Sequence, residues 1–190
     1  KVPLECVKDA KSAMRYLRAN ARKLKIDPSR LVAKGDSAGG QLAAATATLT
    51  DPKTNDDCFD PSISCVPQAV ILTCPWFKTS PDMCPPKHLR EGLPPFLTFA
   101  GGADHAIPVS EMEEFHQALK AKSIPSELYI FIASFSACSP HFVVNSLTVF
   151  SCGLSYGMSL SLESMEIVRR TTSTGVLSMI KPRRTNTLVI

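Results

Sequence analysis

Residues 31–40 read LVAKGDSAGG, and this stretch decides the fold. Its first three residues form a short apolar run suited to a buried strand, and the alanine-rich stretch 41–49 that follows favours a helix. Between them Gly35, Ser37 and Gly39 fit the pattern G-x-S-x-G, which marks a sharp strand-to-helix turn when it stands in this context. We therefore predict that Ser37 lies at the tip of such a turn.

This turn presents a serine hydroxyl for nucleophilic attack. Glycine at both ends of the motif lets the backbone fold tightly, and the first amides of the following helix face the oxygen that becomes negative in an acyl-transfer transition state. Ser37 is the predicted nucleophile, and the Ala38 N–H is a predicted oxyanion-hole donor. The alternative is a merely structural glycine turn, since the bare pattern is short.

The remaining patterning alternates helices with strands. It predicts helices at 8–25, 41–49 and 110–122, and strands at 31–33, 69–73, 96–100 and 127–132. Such alternation indicates an α/β fold, with a mostly parallel sheet flanked by helices, over residues 1–131. Residues 132–190 show no clear period; they are a divergent C-terminus, a flexible segment or sequence read in a wrong frame.

A serine nucleophile needs an acid and then a histidine later in the chain. Asp104 follows the predicted strand 96–100, so we expect it at the carboxyl end of the sheet beside Ser37; the alternative is an ordinary turn aspartate. Chain order and position disfavour three of the four histidines, namely His88, His105 and His116, the last as a solvated helix residue. His141 remains as the predicted base, unless it is an ordinary loop residue.

Composition limits the kinds of binding partner and cofactor that we expect. A net charge of +4 with scattered basic residues argues against nucleic acid, and no apolar run approaches the roughly 20 residues of a membrane helix. The seven cysteines form no C-x-x-C pair, which argues against a zinc ribbon, and we expect neither a metal nor an organic cofactor because the sequence offers no ligand cluster for one. Free thiols are expected, with a Cys58–Cys65 bridge as the alternative. Homo-oligomerisation stays open, as does the compartment: cytoplasmic, or exported if a signal lies upstream.

Several stretches resemble the carboxylesterases and acetylesterases of the hormone-sensitive-lipase-like branch of the α/β-hydrolases. They are residues 9–18 (DAKSAMRYLR), 26–31 (IDPSRL), 35–40 (GDSAGG), 92–95 (GLPP) and 101–108 (GGADHAIP). The resemblance implies Ser37 as nucleophile and Asp104 as acid. It also implies that the first strands of the sheet and a glycine-rich oxyanion loop lie upstream of residue 1, and that the segment before His141 is about five residues longer than in the family.

The resemblance implies hydrolysis of small carboxylic esters, with acetyl or other short acyl groups, through an acyl-enzyme. Two other interpretations remain at this point. One is a catalytically impaired or inactive hydrolase-fold fragment that serves as a binding module, suggested by the absent glycine loop and the displaced histidine. The other is a peptidase of the same fold, for which the sequence offers no pocket signature.

Overall fold

The computed structural model describes residues 4–131, 166–172, 175–181 and 188–189. Its helices are α1 Leu4–Ala19, α2 Ala21–Leu24, α3 Ala38–Thr48 and α4 Val109–Ala121. Its strands are β1 Leu31–Asp36, β2 Ala69–Thr73, β3 Phe96–Gly101, β4 Ser126–Phe131, β5 Glu166–Thr172, β6 Gly175–Lys181 and β7 Leu188–Val189. Short 3₁₀ turns occur at Pro52–Thr54, Pro81–Met83 and Pro85–His88.

Five strands form one parallel sheet in the order β4-β3-β2-β1-β7. Helices follow β1 and β3, which is the connection that neighbouring parallel strands require. The predicted α/β class with a mostly parallel sheet is confirmed. β5 and β6 pair separately as an antiparallel hairpin, in a region where the sequence analysis assigned no element.

The main core lies between the sheet and helices α3 and α4. All five residues of β2 are buried, as expected for a central parallel strand. Met112, Phe115 and Leu119 of α4 face inward as their spacing predicts, and the Phe115 ring meets Phe96 edge-on with centroids 5.7 Å apart. Each such large side chain contributes about 1.5–3 kcal/mol when fully buried. This core fixes the spacing of the strand ends where the motif residues lie.

Helix α1 packs against α3, although it is shorter than predicted. Val7 of α1 and Ala45 and Leu49 at the far end of α3 share one buried cluster. The predicted helix 8–25 divides at Asn20, whose side-chain amide donates to the Tyr16 carbonyl. Asparagine competes for the backbone in this way, which favours helix ends.

Basic side chains hold the C-terminal end of α3 and the loop after it. Lys11 is 1% exposed, and its ammonium group donates to the Leu49 carbonyl at 2.7 Å and to the Thr54 hydroxyl. Arg90 donates to the carbonyls of Ala47 and Thr48. The last carbonyls of a helix lack partners within it and carry partial negative charge, so these cations stabilise the end of α3.

Two arginines of α1 bind the loop through main-chain atoms. Arg15 donates to the Ile63 carbonyl, and Arg18 donates to the carbonyls of Ser64 and Val66. Hydrogen bonds from charged donors are stronger than neutral ones. The loop between α3 and β2 is therefore fastened along its length to α1.

Among the described residues, Cys6, Cys58, Cys65, Cys74 and Cys84 form no disulfide, so the alternative of a Cys58–Cys65 bridge is wrong. In the described part of the chain, no helix combines the length and the apolar character needed to cross a bilayer.

Candidate active site

Ser37 forms the turn between β1 and α3. Its backbone has φ 53° and ψ −119°, a region that residues with a Cβ rarely enter. Such a conformation costs of order 1–3 kcal/mol and persists only where the surrounding structure determines it. Here the Ser37 N–H donates to the Thr73 carbonyl at 3.0 Å, and the Ser37 carbonyl accepts from the amides of Gly40 and Trp76 at 3.0 and 2.8 Å.

The glycines of the motif differ in what they allow. A Cβ on Gly35 would lie 2.1 Å from the Gly39 carbonyl oxygen, so the turn cannot close around any larger residue there. A Cβ on Gly40 would lie 2.8 Å from Cβ of Pro75, whereas one on Gly39 would meet nothing within 4 Å. Glycine was predicted to be required at both ends of the motif for steric reasons. This requirement holds at Gly35, but at the other end it applies to Gly40 and not to Gly39.

Ala38 is the first residue of α3 and is exposed. The first four amides of a helix have no partner within the helix and lie at its positive end. An oxygen bound beside Ser37 would meet this end of α3. The position of Ala38 thus suits the oxyanion role that the motif predicts for it.

Asp104 lies in the turn after β3 and is partly buried. Its Oδ1 accepts from the amides of Ala106 and Ile107 at 2.9 and 3.1 Å, and its own N–H donates to the Gly101 carbonyl at 3.2 Å. These contacts fix the carboxylate, and no ion pair within the described part of the chain involves it. The aspartate therefore serves its own turn, as the structural alternative supposed, and also offers a held carboxylate at this edge of the sheet.

Ser37 and Asp104 follow β1 and β3, and β2 runs between these strands in parallel. The carboxyl ends of parallel strands share one edge, so both residues lie there, after strands whose axes are roughly 10 Å apart. The loop after β2 bridges them. Its Trp76 amide binds the Ser37 carbonyl, and its Lys78 ammonium group lies 3.4 Å from the Ala106 carbonyl and 3.2 Å from Glu111.

Cys74 is the residue of this loop that sequence reasoning missed. It is 1% exposed and has φ 42°, and its N–H donates to the Phe99 carbonyl of β3 at 2.8 Å. Burial in the first place, and the nearby Asp104 charge in addition, raise the pKa of Cys74 to about 11. A lone cysteine after a strand belongs to no motif; only its place directly after β2, next to the strand that precedes Asp104, signals that it lies near the acid.

Three of the four histidines are described, and none of them contacts Ser37 or Asp104 through a described hydrogen bond. His88 contacts the Pro81 carbonyl at 3.0 Å, and His105 is exposed. His116 is not the solvated residue expected: its Nδ1 lies 2.8 Å from the Ser126 hydroxyl, and burial lowers its pKa. His141, the predicted base, lies outside the described residues.

The described residues hold no group of three or more His, Cys, Asp or Glu side chains arranged to bind a metal ion. The charged groups near the turn are paired instead, as in the Lys34–Asp36 ion pair at 3.4 Å. What the arrangement offers chemically is a serine on a strained turn, a helix N-terminus beside it and a held carboxylate at the same edge.

A parallel sheet whose strand β1 leads through a strained G-x-S-x-G turn into α3 defines the α/β-hydrolase fold, and this chain has that fold. The family model described as BD-FAE matches residues 2–71. That match contains α1, β1, the whole motif and α3. It covers fewer than half of the 190 residues.

Three known proteins extend the comparison. Endo-1,4-beta-xylanase B of Butyrivibrio fibrisolvens is 29% identical over 156 residues, which are 71% of this chain and 24% of that protein. Propionate-bound esterase 2 of Thermogutta terrifontis superposes with a TM-score of 0.66 at 30% identity, covering 80% of this chain and 65% of that one. The same esterase phosphorylated by paraoxon gives a TM-score of 0.64 at 30% identity, with 80% and 64% covered.

These similarities confirm the resemblance to α/β-hydrolase carboxylesterases of the hormone-sensitive-lipase-like type. The chain spans about two thirds or less of the length of each relative: 24% of the xylanase and 64–65% of the esterase. Because so small a share of the xylanase is matched, its name implies no xylanase activity for this chain.

Proposed function

We propose that this chain carries the catalytic residues of a serine esterase that hydrolyses small carboxylic esters. The observation that supports this most directly is the backbone of Ser37, which holds φ 53° between β1 and α3 under four main-chain hydrogen bonds. Strain maintained in this way has no packing benefit at a surface turn, but it presents a hydroxyl above the sheet edge.

In the proposed triad, Ser37 is the nucleophile, Asp104 the acid and His141 the general base. His141 takes the proton of Ser37, and the Ser37 oxygen attacks the ester carbonyl carbon. Asp104 holds the imidazole in the required tautomer and stabilises its positive charge. The role of His141 rests on chain order and on its place after β4, the strand that pairs with β3.

The reaction then passes through an acyl-enzyme. The tetrahedral oxyanion accepts a hydrogen bond from the Ala38 N–H at the start of α3, where the helix dipole favours negative charge. His141 returns its proton to the leaving alcohol, and the ester carbon stays bonded to the Ser37 oxygen. Water, activated by the same histidine, hydrolyses this acyl-enzyme and releases the carboxylic acid, so the proposal requires no metal or organic cofactor.

Short acyl groups are the substrate class that we propose. The support comes from the relative with 30% identity, Thermogutta esterase 2, whose structure holds propionate. The same esterase is phosphorylated by paraoxon, a reaction expected of an activated nucleophile. Both properties belong to that protein, and we extend them to this chain as part of the proposal.

Turnover of p-nitrophenyl acetate tests the proposal. The purified chain should hydrolyse it above background, Ser37→Ala should abolish that excess, and Ser110→Ala, which removes an exposed hydroxyl from α4, should leave it unchanged. A fluorophosphonate should label the wild type and not Ser37→Ala. Equal rates for wild type and Ser37→Ala would reject the esterase and leave the binding-module interpretation.

A further inference from the structure

We propose that Trp76 is a specificity-determining residue, whose indole ring forms the wall of the ester site that limits the length of the acyl group. This inference rests on the proposed function, because it names the part of the ester that the site of Ser37 selects. Trp76 takes no part in making or breaking bonds. Its ring leaves space beside Ser37 for a short acyl chain and excludes a long one.

The main chain places Trp76 beside the nucleophile. Its N–H donates to the Ser37 carbonyl at 2.8 Å, so its side chain begins next to the turn that presents the serine hydroxyl. The preceding residue, Pro75, lies against the first turn of α3, where a Cβ on Gly40 would come within 2.8 Å of the proline Cβ. The start of the Trp76 side chain is therefore fixed relative to Ser37 by two contacts of its own loop.

The other end of the Trp76 side chain lies toward the acid turn. The Lys78 ammonium group is 5.4 Å from the centre of the indole ring, and it donates to the Ala106 carbonyl at 3.4 Å. The Ala106 amide in turn binds the Asp104 carboxylate at 2.9 Å. An ester that Ser37 attacks, beside a histidine that Asp104 holds, lies between these two turns. The ring borders this space, because its backbone contacts one turn and its lysine neighbour contacts the other.

The Trp76 ring is held firmly and is still accessible. It packs against the main core, yet it stays partly exposed, whereas the next residue, Phe77, is buried with its ring 4.9 Å from that of Phe115. The Lys78 cation above the ring is itself paired with Glu111 at 3.2 Å, and a cation is attracted to the face of an indole. A large apolar surface that is restrained and open on one side is suited to contact an apolar part of a substrate.

The acyl group is the part of the ester that this wall restricts. In the acyl-enzyme it is bonded to the Ser37 oxygen, so it stays beside the Trp76 ring through both halves of the reaction, whereas the alcohol leaves after the first. A restrained ring cannot move aside for added carbons without strain. One methylene that a pocket does not accommodate changes kcat/KM by roughly 10- to 200-fold.

The p-nitrophenyl esters of acetate, butyrate and octanoate test the selectivity. Trp76→Ala should raise the octanoate-to-acetate ratio of kcat/KM by roughly tenfold or more, and Trp76→Phe should raise it less, because most of the ring volume remains. The matched control is Phe59→Ala, which removes another partly buried ring that lies under a cation, the Arg15 guanidinium at 4.4 Å. It should leave the ratio unchanged.

Two kinetic results would overturn the inference. One is an unchanged octanoate-to-acetate ratio in a folded Trp76→Ala chain, including an equal loss of activity on both esters, since the ring would then serve only the structure of the turn. The other is a change of selectivity confined to the alcohol, measured with ethyl and octyl acetate. Thermal unfolding checks the fold of each variant, and Trp76→Leu carries the same comparison where Trp76→Ala does not fold.

Fluorescence tests the contact without turnover, because Trp76 is the single tryptophan of the sequence. A butyl fluorophosphonate bonds its phosphorus to the Ser37 oxygen with loss of fluoride, and mass spectrometry confirms the bond. The butyl chain, which stands in the place of the acyl group, should exclude water from the ring and move the emission to shorter wavelength. Unmoved emission of a fully labelled chain would overturn the inference and leave the proposed function standing. A chain that is not labelled, and whose turnover does not depend on Ser37, would instead reject the proposed function.

Discussion

The amide of Trp76 donates a hydrogen bond to the carbonyl of Ser37 at 2.8 Å. The turn that presents Ser37 is thus bound to the loop after β2 as well as to its own helix. Two residues further, Lys78 reaches the Ala106 carbonyl and Glu111, and its ammonium group lies 5.4 Å from the centre of the Trp76 ring. One loop therefore joins the nucleophile turn to the acid turn, which makes their separation a property of the fold.

We predict opposite effects of the same substitution at Gly35 and Gly39. Gly35→Ala should lower the free energy of unfolding by about 3 kcal/mol or more, because the new methyl group meets a backbone oxygen that cannot move away. Gly39→Ala has free space in a helical position and should raise it by up to about 1 kcal/mol. Urea unfolding of both variants decides this, and equal destabilisation would show that the turn is not packed as described.

Asp104→Asn should remove the negative charge of the acid while keeping its hydrogen bonds within the turn. The asparagine Oδ1 still accepts from the amides of Ala106 and Ile107, so the melting temperature should change little. Loss of the charge should lower kcat/KM by about 10³- to 10⁴-fold.

The matched control is Asp60→Asn, since Asp60 Oδ1 accepts from the Ser62 amide at 2.8 Å in a similar turn of the loop before β2. It should leave kcat/KM unchanged. If Asp104→Asn also kept full activity, Asp104 would be only a turn residue.

Alanine substitution of each histidine should identify the base. His141→Ala should lower kcat/KM by roughly 10³-fold or more, because nothing else takes the serine proton. His88→Ala, His105→Ala and His116→Ala should each retain activity within a few-fold. A large loss at His105 with none at His141 would transfer the role to the residue next to Asp104.

Lys11→Met should destabilise the chain by about 2–3 kcal/mol at neutral pH, because the buried carbonyl of Leu49 loses its partner. Burial lowers the pKa of Lys11 below its ordinary value of 10.5, so between the two values the unfolded chain binds more protons than the folded one. The stability of the wild type relative to Lys11→Met should therefore rise with pH through that alkaline window. Urea unfolding in steps up to pH 10.5 measures this difference, and a difference that shrinks with pH would contradict it.

Local pattern predicted most of the fold, and tertiary contacts account for the rest. The strand at 69–73 was predicted with the bounds that the structure gives, since every residue in it is apolar or threonine and all are buried. β1 extends beyond the predicted 31–33 to Asp36, because Lys34 and Gly35 stay paired with Ile71 and Leu72 despite their low hydropathy. α3 begins at Ala38, where the elbow overrides the weak helix propensity of glycine.

In the candidate site, too, some residues were predictable from the sequence and others were not. The placement of Ser37 and Asp104 was predictable because each stands in a motif or shortly after a strand. That of Cys74 was not, since its position near Asp104 depends on the pairing of β2 with β3 and on a left-handed backbone that no sequence pattern encodes. His116 was misjudged because its partner, Ser126, belongs to a strand ten residues away.

The arginines of α1 hold the loop between α3 and β2 through carbonyl oxygens, and every amino acid supplies the same carbonyl. Residues at positions such as 63, 64 and 66 can therefore change identity without losing these contacts. Related chains are expected to vary at these three positions while the path of the loop is preserved, whereas Thr54, Asn55 and Asp56 contact α1 through their side chains and are constrained. A random library at positions 63, 64 and 66 should accordingly fold far more often than a library at Arg15 and Arg18.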